Sequence, residues 1–173
     1  SLVNKLKRWL DCAEHFNVNS FHTIDADDPF FNGSEMIESL NLLKSGNYDV
    51  VCPTKSSSAG AASVGYSLTS AVVKRALVNL GDDTDTEMMW LYLEKLHGVR
   101  MAILPENGLQ ISGIRLTLDY QEDYWLLTSI ARILGNNATR DEINKLFRDN
   151  PEFTKINFFR NKEWKKAQLS RII

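Results

Sequence analysis

The run Thr23-Ile24-Asp25-Ala26-Asp27-Asp28-Pro29 puts three carboxylates within four residues, directly after an apolar stretch and directly before a proline. Carboxylates crowded at the end of a buried strand repel one another and lose hydration. A bound divalent cation relieves both costs. A further carboxylate, Asp119, ends the β-rich run 111–118 and precedes a helical segment. Two carboxylates from neighbouring strand ends can hold one Mg²⁺ and leave positions for phosphate oxygens and water. Asp27 and Asp119 are therefore the pair expected to do chemistry together. The same residues also admit a plainer account, with Asp119 as a helix N-cap and Asp25, Asp27 and Asp28 as turn residues.

Other candidates are weaker. Arg115 precedes Asp119 by four residues, so in a strand both side chains lie on one face. It could pair with an acidic neighbour or meet a substrate carboxylate. Glu87, beside Met88-Met89-Trp90, could line a substrate pocket or simply begin a helix whose other residues are core. Ser56-Ser57-Ser58, with Lys55 and Gly60, reads as a surface loop able to offer hydroxyls and N–H groups to an anion. His15, His22 and His97 share no metal-ligand spacing, and no GxSxG, Walker A or HExxH pattern occurs.

The elements that must position these residues alternate along the chain. Helical spacing covers Leu2–Phe16, a strand is expected at Ser20–Ile24, and Asn32-Gly33-Ser34 opens a helix that stops near Gly46. Tyr48–Cys52 reads as a strand, Lys55–Ala62 as a loop and Ser63–Leu68 as a strand, with a helix from Ser70 to Gly81. Thr84–Glu87 has capping-box spacing for a helix reaching Gly98. Val99–Leu104 and Ile111–Leu118 read as strands. Helices follow from Asp119 to Gly135 and from Thr139 to Pro151, then an aromatic and basic tail that reads as a C-terminal helix. This alternation predicts one α/β domain built on a layered, mostly parallel sheet with helices on both faces. In such sheets ligands bind beyond the carboxyl ends of the strands.

Composition narrows the class. The chain has 173 residues, enough for one domain with a real core, and a formal net charge of −2, which argues against a general nucleic-acid binder. No run approaches a membrane span. Cys12 and Cys52 form no CxxC and read as buried thiols of a reducing compartment, the cytoplasm.

Two motifs resemble a known family. Asp27-Asp28-Pro29, the helix to Lys44-Ser45-Gly46 and Tyr48-Asp49-Val50-Val51 are similar to the middle of nucleotide-sugar cytidylyltransferases. Ile114-Arg115-Leu116-Thr117-Leu118-Asp119, followed by Glu122-Asp123, resembles that family's Leu-Arg-Leu-Thr-Val-Asp-x-x-Glu-Asp, and Asn150-Pro151-Glu152 fits as well. The likeness runs from about Arg8 to Pro151 and is nearest to the branch of CMP-sialate and CMP-octulosonate synthetases and spore-coat polysaccharide proteins.

The resemblance implies a nucleotide-diphospho-sugar transferase-like fold and a cofactor, Mg²⁺, held by Asp27 and Asp119. It also implies a reaction joining a sugar or sugar acid to the α-phosphate of CTP. The family's N-terminal strand and its nucleotide loop with Gly, Arg and Lys have no counterpart after Ser1. The chain is thus expected to be the C-terminal part of a larger nucleotidyltransferase domain, active in the full-length protein. A homodimer is compatible with the sequence. The alternative is a non-catalytic fragment or divergent homologue that keeps the fold for binding or assembly.

Overall fold

A computed structural model describes residues 3–106, 111 and 113–169. The chain divides into two compact units, one made of Ser1–Thr23, Met36–Cys52 and Tyr66–Ile103, the other of Ile24–Glu35, Pro53–Gly65 and Leu104–Ile173.

The first unit holds the sheet. Helix α1 (Lys5–His15) starts where the Asn4 side chain accepts the Lys7 N–H, and buries Leu6, Leu10 and Ala13. Strand β1 (Ser20–His22) follows. Helix α2 (Gly33–Lys44) ends before Gly46, whose φ of +77° is the left-handed conformation expected of a C-terminal glycine. Strands β2 (Val50–Cys52) and β3 (Ser67–Thr69) come next, and Thr69 caps helix α4 (Ser70–Leu77) by accepting the Val72 N–H. The short helix α5 (Trp90–Leu93) precedes β4 (Met101–Ile103). Helix α1 packs on α4, and Leu6, Val50, Leu68, Val73 and Leu93 form a fully buried core. Each such side chain removed from water contributes roughly 1.5–3 kcal/mol.

The expected mostly parallel sheet is not what forms. The four strands lie in the order β1-β3-β2-β4; β3 is antiparallel to both β1 and β2, and β2 is parallel to β4. Three strands therefore point one way and β3 the other. Alternation of strands and helices predicts parallel pairing because parallel neighbours need a crossover, usually a helix. Between β2 and β3 the chain carries just the single-turn helix α3 (Lys55–Ser58).

Helix α3 stands where the sequence suggested a loop. Thr54 accepts the Ser57 N–H, and the Glu106 carboxylate takes the Ser56 N–H and hydroxyl, each at 2.7 Å. The helix expected from Thr84 also differs. Asp85 Oδ1 accepts the Glu87 N–H at 2.8 Å in a turn, and Thr86 turns inward, donating to Asn4 Oδ1 and accepting the Leu6 N–H, both at 3.0 Å. These bonds tie residues 85–87 into a turn against the start of α1, and the helix begins at Trp90 instead.

The second unit contains α3, α6 (Gln121–Leu134), α7 (Arg140–Asp149), a 3-10 turn (Pro151–Ile156) and α8 (Arg160–Leu169). Its core gathers Phe30, Leu116, Leu126, Ile130, Ile143 and Phe147. Helix α7 opens as its sequence predicts: Thr139 and Glu142 exchange side chain and backbone hydrogen bonds. The run 111–118, expected as a strand, forms none among its described residues. It is tethered instead to two separate segments, Leu116 N–H to Gly60 O and Leu118 N–H to Asp27 O, both at 2.8 Å.

Candidate active site

The Leu118 bond sets the Asp27 turn beside the residue preceding Asp119, within one compact unit. Asp27 is exposed at the turn. The Asp119 side chain is 31% exposed and is held from one side: its Oδ2 accepts from Arg115 Nη2 at 2.7 Å and Thr117 Oγ1 at 3.4 Å. Asp119 is not the cap of α6, which begins after Tyr120. The capping carboxylate is Asp123, whose Oδ2 accepts the N–H groups of Asp119 and Tyr120, each at 3.0 Å.

Arg115 is fully buried, and all three of its nitrogens are engaged. Nε and Nη2 donate bidentately to Asp123 at 2.9 Å each, Nη1 donates to Asn161 Oδ1 at 3.0 Å, and Nη2 also reaches Asp119. The guanidinium sits 5.3 Å from the Tyr120 ring centre and 5.9 Å from that of Trp164. Asn157 closes the network, donating from Nδ2 to Asp123 Oδ1 at 2.9 Å and to the Arg115 carbonyl at 3.0 Å. Burial alone would push the Asp123 carboxyl up, but the hydrogen bonds from Arg115 and the two backbone N–H groups outweigh it and hold the carboxyl below its usual range. Burial likewise opposes the charged Arg115, and Asp123 with Asp119 more than offsets it, so the guanidinium is held above its ordinary value.

Asp28, expected as a turn or supporting residue, is the buried member of the acidic run, 7% exposed, with an Oδ1 that meets no donor. Burial and then the charge of Asp27 raise its carboxyl to about 7. Of the sequence candidates, the second unit thus contains Asp27, Asp119 and Arg115. Glu87 belongs to the first unit, where Lys5 Nζ donates to its Oε1 at 3.3 Å. Asp123, Asn157 and Asn161 were not singled out as site residues. Asp123 is present in the second motif, and Asn157 and Asn161 stand four apart, but nothing in the spacing ties that tail to Arg115.

Among the described residues, no group of three or more His, Cys, Asp or Glu side chains could hold a metal. Two carboxylates still suit Mg²⁺, which keeps several waters and takes one or two carboxylates together with substrate phosphates. Among the described residues no donor meets Asp119 Oδ1, so that oxygen is open to a ligand while Oδ2 is fixed.

No protein-family model and no curated protein matches this chain. Among solved structures, it is similar to a cytidylyltransferase from Leptospira borgpetersenii serovar Hardjo-bovis (strain JB197), with a TM-score of 0.73 and 18% sequence identity. The match covers 88% of this chain and 65% of that one. The chain therefore has a cytidylyltransferase-like fold and spans somewhat under two thirds of that structure. No helix among the described residues is long and apolar enough to cross a membrane.

Proposed function

We propose that this chain is the C-terminal part of a cytoplasmic, Mg²⁺-dependent cytidylyltransferase that activates a sugar or sugar acid as its CMP derivative. The nearest chemistry is that of the CMP-sialate and CMP-octulosonate synthetases and the spore-coat polysaccharide branch. The observation that carries the reading is the Leu118 N–H to Asp27 O bond at 2.8 Å, which brings the two candidate metal carboxylates to adjoining backbone. The likeness in fold supports it.

In this reading Asp27 and Asp119 hold Mg²⁺, which when bound neutralises phosphate charge at the α-phosphate of CTP and helps orient the attacking sugar oxygen. The chain's own part is placement. Arg115 fixes one oxygen of Asp119, while the side chain as a whole stays 31% exposed. Asp123 holds the backbone of Asp119 and Tyr120, so the carboxylate is set before a ligand arrives. Arg115, with its nitrogens engaged by protein oxygens, is assigned as the positioning residue of Asp119 rather than a direct substrate contact.

The test is pyrophosphate release by the full-length protein from CTP with octulosonate or N-acetylneuraminate, compared with Asp27→Asn and Asp119→Asn. Wild-type turnover in both variants would remove the two carboxylates from the reaction. Absence of turnover in a folded wild-type protein would favour the non-catalytic binding role instead.

A further inference from the structure

The second unit contains a cleft whose lining includes neither Asp27 nor Asp119. Its volume is about 360 Å³, within the range of small-molecule sites. One wall is apolar, including Ile111, Ile114 and Phe158, and the charged lining residues are Arg140, Lys165 and Glu35, so cations outnumber anions.

Arg140 is the unusual member. It is half-buried, and desolvation draws its guanidinium below the ordinary arginine value despite the more distant charges of Glu35 and Asp28. Its Nη2 donates to the carbonyls of Phe30 at 3.4 Å and Ala62 at 3.2 Å. Among the described residues no carboxylate lies within ion-pair distance of it, and neither Nε nor Nη1 donates a hydrogen bond. Arg100, Arg115 and Arg160, by contrast, are each matched to a carboxylate. A guanidinium withdrawn from water with no carboxylate in direct ion-pair contact is costly, and its planar fork can donate bidentately to one.

We propose that this cleft binds a small carboxylate with an apolar body: the carboxylate on Arg140, Lys165 adding charge from its exposed position, and the body against Phe158 and Ile111. The inference is independent of nucleotide chemistry. Asn161 lines the same cleft and accepts from Arg115 Nη1 at 3.0 Å, so the site adjoins the network that holds Asp119.

Benzoate is the probe and benzamide its neutral isostere, titrated into the full-length protein by calorimetry without CTP. Benzoate should bind about tenfold or more tightly than benzamide, and Arg140→Gln should weaken benzoate by a similar factor. Lys165→Glu, at an exposed position, should weaken it several-fold and supplies the test if Arg140→Gln fails to fold. Equal binding of the two probes, unchanged benzoate affinity in a folded Arg140→Gln or in Lys165→Glu, or displacement of benzoate by an equal concentration of inorganic phosphate would each overturn the assignment. Because no transfer reaction is read, this failure is distinct from failure of the transferase proposal.

Discussion

Arg115 Nη2 donates to Asp119 Oδ2 at 2.7 Å from a side chain with no solvent exposure, while the carboxylate it holds remains 31% exposed. A buried cation thus steadies a carboxylate that solvent, or a ligand, can reach. Its main counter-charge, Asp123, is itself fully buried. Arg115→Met leaves that carboxylate uncompensated and is expected to cost about 3–5 kcal/mol in urea denaturation. Arg115→Lys keeps the charge but loses the bidentate fork, so its loss should be clearly smaller. Equal losses in the two variants would mean that a retained charge stabilises nothing here without the bidentate fork.

For activity, Asp27→Asn and Asp119→Asn in the full-length protein should each lower pyrophosphate release by on the order of a hundredfold. Arg115→Lys should lower kcat through a misplaced Asp119 and raise the Mg²⁺ concentration needed for half-maximal rate. An unchanged Mg²⁺ requirement in Arg115→Lys would show that the guanidinium supports the fold alone.

Asp28 predicts a pH dependence of stability. Its carboxyl is raised from 3.8 to about 7, with burial as the first cause. Between about pH 4 and 7 the folded protein therefore retains a proton that the unfolded chain releases, and stability falls as pH rises through that window. Asp28→Asn abolishes this slope. The variant should gain on the order of 3 kcal/mol at pH 8 relative to wild type and little at pH 3.5. Denaturation curves at the two pH values decide it, and an equal difference at both would overturn the assignment.

The capping box of α7 gives a control outside the site. Thr139→Ala removes the acceptor for the Glu142 N–H and should cost about 1 kcal/mol, while Thr139→Ser should recover most of it. Thermal melting of the three proteins measures the difference.

Much of this was legible in the chain, and the parts that were not share a physical cause. Helices α1, α2, α4, α6 and α7 follow from local apolar spacing and caps, which neighbouring residues decide. The expectation that Asp27 and Asp119 act together came from two strand-end motifs and their family resemblance, and what the fold adds is the backbone bond from Leu118 N–H to Asp27 O. The reversed direction of β3, the loss of a strand at 111–118 and the inward turn of Thr86 depend on partners many residues away. Periodicity carries no information about such partners. Asp28 was undervalued for the same reason: three adjacent carboxylates look alike in sequence, and burial alone distinguishes the one that is raised. Arg115 is alike in needing distant partners to define its role, since Asn157 and Asn161, more than 40 residues on, complete with Asp123 the network that holds it.

Asp123 takes five donors, from Arg115 Nε and Nη2, Asn157 Nδ2 and the backbone of Asp119 and Tyr120. Its oxygens are satisfied when the second motif, the start of α6 and the segment after the 3-10 turn are all in place. Four of the five donors lie within residues 115–120 and the fifth comes from beyond Pro151, so docking of that later segment completes the pairing of Asp123. Backbone amides around 115–123 and 157–161 should then open together in native-state exchange, as one cooperative block rather than as separate fraying helices.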